Sequence, residues 1–409
     1  MDKKKLILII ASMGIFVEAL DIAIINLAIP SIQKTFMLTI QQAQWLQTLY
    51  VLFYGGLLII GGKLSDTYSN KRMFITGCSL FLAASLGAGL ATGLSFLLLS
   101  RALQGMAAAF IMPSAFSIIN STFTEEKERA RAIGVFSSFA AIGSGSGLAF
   151  GGIITNYLGW QWIFFMNVPV LAIVIVAAVG LLNHNVGMAT DGASGTRPLI
   201  DVSLFRIPSL AMGSTAFLIL GAFFTGYLFV VSQILQNNMG CDAAVSGLLL
   251  VPFSVLSVIV ARFVLPVFTR MWSMPVVAVT GMCCMLLGGV LLLGAASFSV
   301  LWLVLCAAAC ISGFGITICF TSFSVLSMQD VPAQHYGIGS GITSTAYFLG
   351  GGIGLPMLVM TMPHAATAGK IAAAPLAVLL SFAVAGVVSL MLYTFFKRRS
   401  EAMAAAGDM

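Results

Sequence analysis

Twelve apolar runs divide this chain, each near the roughly 20 residues that a helix needs to cross a bilayer. They fall at residues 6–29, 45–62, 73–91, 95–118, 132–155, 162–182, 207–231, 245–268, 274–294, 299–322, 338–360 and 371–396. Hydrophobic residues make up 59% of the 409 and charged residues only 8%, against about 25% charged in a soluble domain. So much apolar surface cannot be hidden from water in a chain of this length. The fold class expected is an all-α membrane protein. Glycine and proline inside the runs are compatible with membrane helices. Barrel strands would show strict alternation over about ten residues, a pattern not found here. The opening Met-Asp-Lys-Lys-Lys leads into a run too long, and too rich in acids, for a signal peptide; it reads as a retained first span.

Lysine and arginine orient the spans. With the N-terminus inside, the inner segments hold Lys3, Lys4, Lys5, Lys63, Lys71, Arg72, Lys127, Arg129, Arg131, Arg197, Arg206, Arg270, Lys397, Arg398 and Arg399. The outer loops hold Lys34 and Lys370. Fifteen against two places both termini in the cytoplasm and requires an even number of spans. Arg101 and Arg262 stand apart, within or at the edge of spans. The net charge of +6 is therefore topological and does not point to nucleic acid. The longest polar segment, 183–204, separates a first bundle of six spans (1–182) from a second (205–409) with a short basic tail. Two halves around a central linker are the pattern of a rocking secondary transporter.

The first run carries Glu18 and Asp21, three residues apart and so on one helical face. Both ionised, they would repel. Arg101 lies early in span 4, with Gln104 on its face and Gly105, Ala107 and Ala108 offering close approach. Asp21 and Arg101 could meet if spans 1 and 4 pack together. An ionisable group in hydrocarbon is a functional candidate by default: here, a carboxylate that carries a proton beside a fixed positive charge. The simpler alternatives are a static ion pair, or an arginine reaching to the interface.

Span 5 repeats Gly143, Gly147 and Gly151 at every fourth residue, followed by Gly152. These glycines, with Pro113 of span 4, are candidates for helix packing and hinging. Span 11 and its entrance are similar, with Gly337, Gly339, Gly341, Gly350, Gly351, Gly352 and Gly354. After span 2, Gly62, Asp66, Lys71 and Arg72 form an inner loop. Asp66, expected just past the helix end, is placed for a charge–dipole latch on span 3. The seven cysteines show no disulfide or metal spacing, and His184, His335 and His364 lie in expected loops. No catalytic or metal constellation appears, and no enzyme activity or cofactor is expected.

These segments resemble the major facilitator superfamily, and within it the proton-driven drug exporters whose usual members have fourteen spans. Leu20-Asp-Ile-Ala-Ile-Ile-Asn-Leu-Ala-Ile-Pro30 is similar to that subfamily's span-1 signature, with Asp21, Asn26 and Pro30 in place and Ala23 where threonine is common. Gly62, Leu64, Asp66, Lys71 and Arg72 resemble the superfamily's inner-loop signature, which Thr67, Ser69 and Asn70 modify. Arg101, Gln104 and Gly105 match the span-4 signature, whose arginine is linked with proton coupling. Gly143, Gly147, Gly151 and Gly152 match the span-5 antiporter signature, with Leu148 in place of its proline. Gly159-Trp-Gln-Trp-Ile-Phe-Phe-Met-Asn-Val-Pro169 is close to the subfamily form. Between Pro169 and Arg197 there is room for one span, where fourteen-span members carry two more.

The resemblance implies a major-facilitator fold of two six-helix bundles in the bacterial inner membrane, working as a proton antiporter of hydrophobic or cationic organic compounds. Asp21, Arg101 and Glu18 are the expected proton-coupling residues, with Asp21 favoured over Glu18 as the carrier. Asn26, Gln47, Tyr50, Gln104, Tyr227 and Gln233 are expected to line the substrate cavity. The expected partners are a small organic substrate, protons and membrane lipid, with the protein a monomer. A metabolite or sugar carrier of the same fold, with import as one direction, and a non-transporting receptor or assembly factor are the alternatives.

Overall fold

The computed structural model describes residues 3–182, 204, 206–332, 335–362 and 373–407, without the side chains of Asp66, Tyr336 and 396–407. The linker expected at 183–204 lies outside the described residues except for Leu204, as do His184, Arg197, His364 and Lys370.

Every element among the described residues is a helix, the form in which a chain in hydrocarbon satisfies its own backbone groups. Twelve of them among the described residues are long and apolar enough to span a membrane: α1 Lys3–Thr35, α2 Ile40–Ser65, α3 Asn70–Gly89, α4 Leu94–Thr122, α5 Glu126–Tyr157, α6 Trp162–Leu181, α7 Pro208–Asn238, α8 Ala243–Met271, α9 Met274–Phe298, α10 Leu301–Met328, α11 Gly337–Val359 and α12 Ala373–Phe395. Most run past the apolar stretch that marks them in sequence. At α2 a capping box extends the start: Gln42 N donates to Thr39 Oγ1, and Thr39 N donates to Gln42 Oε1. Helical backbone at the other end of α2 continues through Thr67, so Asp66 lies inside the last turn and not beyond it. Among the described residues, three helices contain a π-turn, at Ile234–Asn238, Val260–Val264 and Ala309–Gly315.

The chain forms two compact units. One comprises Met1–Asp201 with Ser232–Pro252 and Pro363–Lys370; the other comprises Val202–Val231, Phe253–Met362 and Ile371–Met409. In the first, α5 lies along α1 because its glycines bring backbones together. A Cβ on Gly143 would sit 2.5 Å from the Phe16 carbonyl, and one on Gly147 2.7 Å from that of Leu20. Gly151 faces Ile24. Helices α2 and α4 meet where Gly105 lies under the Tyr50 carbonyl and Gly61 under that of Ala109. Gly61, not Gly62, makes this close approach; Gly62 is 4.0 Å from Pro113 by the same measure. Pro113 has no N–H for the Ala109 carbonyl four residues back, and that carbonyl turns to Gly61. At the Lys3 end, Lys4 pairs with Glu128 at 2.9 Å. Lys71 Nζ caps the end of α6 by donating to the carbonyls of Val179 and Leu182, both at 2.7 Å, while Arg72 is exposed.

The second unit repeats the device. Gly350 of α11 faces the Leu218 carbonyl of α7, and Gly221 of α7 faces that of Tyr347. Gly281 and Gly288 of α9 receive Cys319 and Ile311 of α10. Large apolar side chains such as Ile173, Val176 and Trp302 remain exposed, as lipid-facing positions require.

Candidate site: a buried ion pair in the first unit

Asp21 lies near the middle of α1 and Arg101 two turns into α4. Their side chains are both 0% exposed, and Arg101 Nη1 meets Asp21 Oδ2 at 2.5 Å. Two ions taken out of water are held only if other polar groups answer them, and α2, α3, α4 and α6 supply that network. From α2, the Leu46 carbonyl accepts from Arg101 Nε at 2.9 Å. The Tyr50 ring lies under the guanidinium, 4.4 Å from centroid to Cζ, within cation–π range. From α4, Gln104 Oε1 accepts from Arg101 Nη1 at 2.7 Å, while its Nε2 donates to Asp21 Oδ1 at 3.3 Å and to Ser85 Oγ of α3 at 2.9 Å. From α6, Asn167 Nδ2 donates to Asp21 Oδ1 at 3.1 Å.

A local turn delivers Asn167. The chain leaves α5 through Gly159 at φ +96, a left-handed conformation that glycine adopts without strain. Its N–H closes on the Ile154 carbonyl. Trp160 then buries against Phe36 and Phe164, and α6, starting at Trp162, turns Asn167 inward in its second turn.

Glu18 is buried beside the pair and hydrogen-bonded with Tyr54 of α2. Its Oε2, Gln47 Oε1, the Tyr50 hydroxyl and Arg101 Nη2 are buried with no hydrogen-bond partner among the described residues. The cluster thus combines one fully engaged carboxylate, one partly engaged carboxylate and spare polar atoms. Such an arrangement can accept and pass a proton.

The structure therefore gathers Glu18, Asp21, Gln47, Tyr50, Arg101 and Gln104 on α1, α2 and α4. Asn26 is turned elsewhere: its Nδ2 donates to the Ile22 carbonyl. Tyr227 belongs to the second unit, where its hydroxyl accepts from Ser312 Oγ at 3.2 Å. Gln233 accepts a short hydrogen bond from Asn237. Asn167, Ser85, Tyr54 and the Leu46 carbonyl are members of the cluster that the sequence reading did not assign. Asn167 lies within the 159–169 motif, and Tyr54 is one turn from Tyr50; the serine and the carbonyl carry no signal of their own.

Residues 11–355 match the Major Facilitator Superfamily. The chain is 29% identical over 413 aligned residues to the multidrug resistance protein Stp of Mycobacterium tuberculosis, covering 88% of this chain and 76% of that protein. It is 25% identical over 411 residues to the tetracenomycin C resistance and export protein of Streptomyces glaucescens, covering 87% and 75%. The crystal structure of the nucleoside transporter NupG superposes with a TM-score of 0.75 over 96% of this chain and 99% of that one, at 14% identity, a likeness of fold alone. With twelve membrane helices and this match along most of its length, the chain is a multi-pass membrane protein that belongs to the Major Facilitator Superfamily.

Proposed function

We propose that this protein exports hydrophobic or cationic organic compounds in exchange for protons, working as a monomer with both termini in the cytoplasm. Two six-helix bundles joined by the 183–204 linker would rock about a cavity that Asn26, Tyr227 and Gln233 help to line. Resistance and export are what the names of its relatives record. The distribution of lysine and arginine supports the orientation, and the abundance of methionine and phenylalanine supports an adaptable, greasy cavity.

The observation that carries the antiport reading is the Asp21–Arg101 pair, fully buried in the first unit. A proton taken up at Asp21 Oδ2 removes the negative charge and breaks the ion pair. Arg101 does not follow the acid, because the Leu46 carbonyl, Gln104 Oε1 and the Tyr50 ring still hold it. Protonation therefore frees α1 while leaving α2 and α4 in place. Glu18, one turn nearer the N-terminal end of α1, offers the proton its next stop toward the cytoplasm. On this reading the inner segment with Gly62, Asp66, Lys71 and Arg72 steadies the cytoplasmic end. The glycines at 143, 147, 151 and 152, with Pro113, give the helices their sliding surfaces.

Proteoliposomes carrying the wild type should release protons into the lumen when ethidium or tetraphenylphosphonium is driven outward. Asp21→Asn and Arg101→Ala should abolish the coupling. Normal coupled flux in both variants would overturn the mechanism.

A further inference from the structure

Pro30 lies inside α1 and has no N–H, so the Asn26 carbonyl four residues back loses its intrahelical donor. Asn26 is buried, and a buried carbonyl needs another partner. It finds one in Ser232, whose Oγ donates to it at 2.7 Å. Ser232 is also buried. One turn on, Gln236 Nε2 donates both to Ser232 Oγ at 3.0 Å and to the Leu27 carbonyl at 3.2 Å. The two residues flank and enter the π-turn Ile234–Asn238 that ends α7, and a π-turn often marks a functional position. The same stretch, Ser232–Pro252, groups with the first unit.

We propose that Ser232 and Gln236 are positioning residues of the transport cycle: they form a releasable clasp on α1, at the proline-freed carbonyl of Asn26 and the neighbouring carbonyl of Leu27, made in one state of the cycle and broken in another. Pro113 shows what makes the arrangement unusual. Its freed carbonyl, on Ala109, faces Gly61 of α2, whereas the freed carbonyl of Asn26 receives a hydroxyl. An intrahelical donor would hold the Asn26 carbonyl permanently. A serine hydroxyl can leave, and water can take its place at little cost. Neutral hydrogen bonds, each weak in net terms, suit a contact that must open at every turnover. The role in a cycle rests on the export reading; the clasp itself does not.

Cys241 is the natural reporter. It follows the π-turn by three residues, is partly exposed, and donates its N–H to the Leu235 carbonyl. The rate of its alkylation by a maleimide is measured in nanodiscs and read on the Cys241 peptide by mass spectrometry. Ser232→Ala and Gln236→Leu should each raise that rate about two- to tenfold, the weight of one or two hydrogen bonds. Ser232→Thr, which keeps the hydroxyl, should leave it unchanged. Pro30→Ala returns an N–H to the Asn26 carbonyl, so on that background Ser232→Ala should add less than about a twofold effect. Unchanged alkylation in both Ser232→Ala and Gln236→Leu would overturn the clasp, as would a Ser232→Ala effect of equal size with and without Pro30→Ala. Ethidium flux is measured in parallel. Absence of flux in the wild type would defeat the export reading alone, because alkylation still reads the clasp.

Discussion

Asp21 and Arg101 should show strong thermodynamic coupling, and the structure fixes its size. Asp21→Ala leaves the guanidinium with the Leu46 carbonyl, Gln104 Oε1 and the Tyr50 ring but no counter-charge, in a site with no exposure. Asn167 Nδ2 loses its carboxylate acceptor at the same time. Breaking one side of a buried ion pair costs about 3–5 kcal/mol, and this variant should fall toward the upper end. Arg101→Met leaves a carboxylate that still accepts from Gln104 and Asn167, so about 3 kcal/mol is expected. The double variant Asp21→Ala, Arg101→Met leaves no unpaired charge. It should cost less than the sum by about 2–3 kcal/mol, the surplus being the penalty that each single variant pays for a stranded ion. Equilibrium unfolding of the purified protein in mixed micelles measures all three. Additivity within about 0.5 kcal/mol would refute the claim that these side chains are energetically one unit, and with it the idea that protonating one releases the other.

The α1–α5 contact should tolerate no side chain: Gly147→Leu would drive a Cβ to 2.7 Å from the Leu20 carbonyl and should abolish folded yield. Gly56→Ala in α2, with nothing within 4 Å of the added carbon, should fold normally; size-exclusion profiles of the two compare them directly. Lys71→Met removes both caps on the end of α6 and should cost about 1–2 kcal/mol of unfolding free energy, whereas Arg72→Met should cost nothing measurable. Cys241 has its thiol pushed up by partial burial and then by the charge of Asp242. Asp242→Asn keeps an acceptor for the Val245 N–H but removes the anion, so the pH midpoint for maleimide reaction should move to lower pH. An unmoved midpoint would show that Asp242 does not act on the thiol.

Run length was enough to read the twelve helices from sequence, because a membrane helix must expose apolar residues on nearly all sides. Their ends were read short, since beyond the hydrocarbon the helices continue on polar residues: α1 begins at Lys3 and ends at Thr35, against an apolar core at 6–29. The charged members of the site were equally legible, because Glu18, Asp21 and Arg101 stand out in apolar surroundings. Their neutral partners did not stand out. Asn167 and Asp21 are 146 residues apart, and an asparagine near a helix start has many ordinary uses. Pro30 was visible as a residue, yet no local pattern says which distant side chain answers the carbonyl that it frees. The π-turns of α7, α8 and α10 likewise leave no periodic trace, since one extra residue per turn is invisible in a run that is apolar throughout.

These features converge on α1. One face carries Glu18 and Asp21 into a network that α2, α3, α4 and α6 hold. A second, made by the backbone at Phe16 and Leu20 and by the side chains of Ala23 and Ile24, lies against glycines of α5, which put no side chains of their own into the contact. A third, near Pro30, presents carbonyls to Ser232 and Gln236. A helix that must move when a proton binds needs one contact that depends on charge, and others that do not resist displacement. On the proposed reading the glycine face supplies the second condition and the ion pair the first, so the energy needed to shift α1 is set chiefly by the state of Asp21. Placing a large side chain on the glycine face would transfer that control to steric interlock. Transport would then fail even with the ion pair intact, whereas loss of the ion pair alone would leave a helix free to move but no longer coupled to protons.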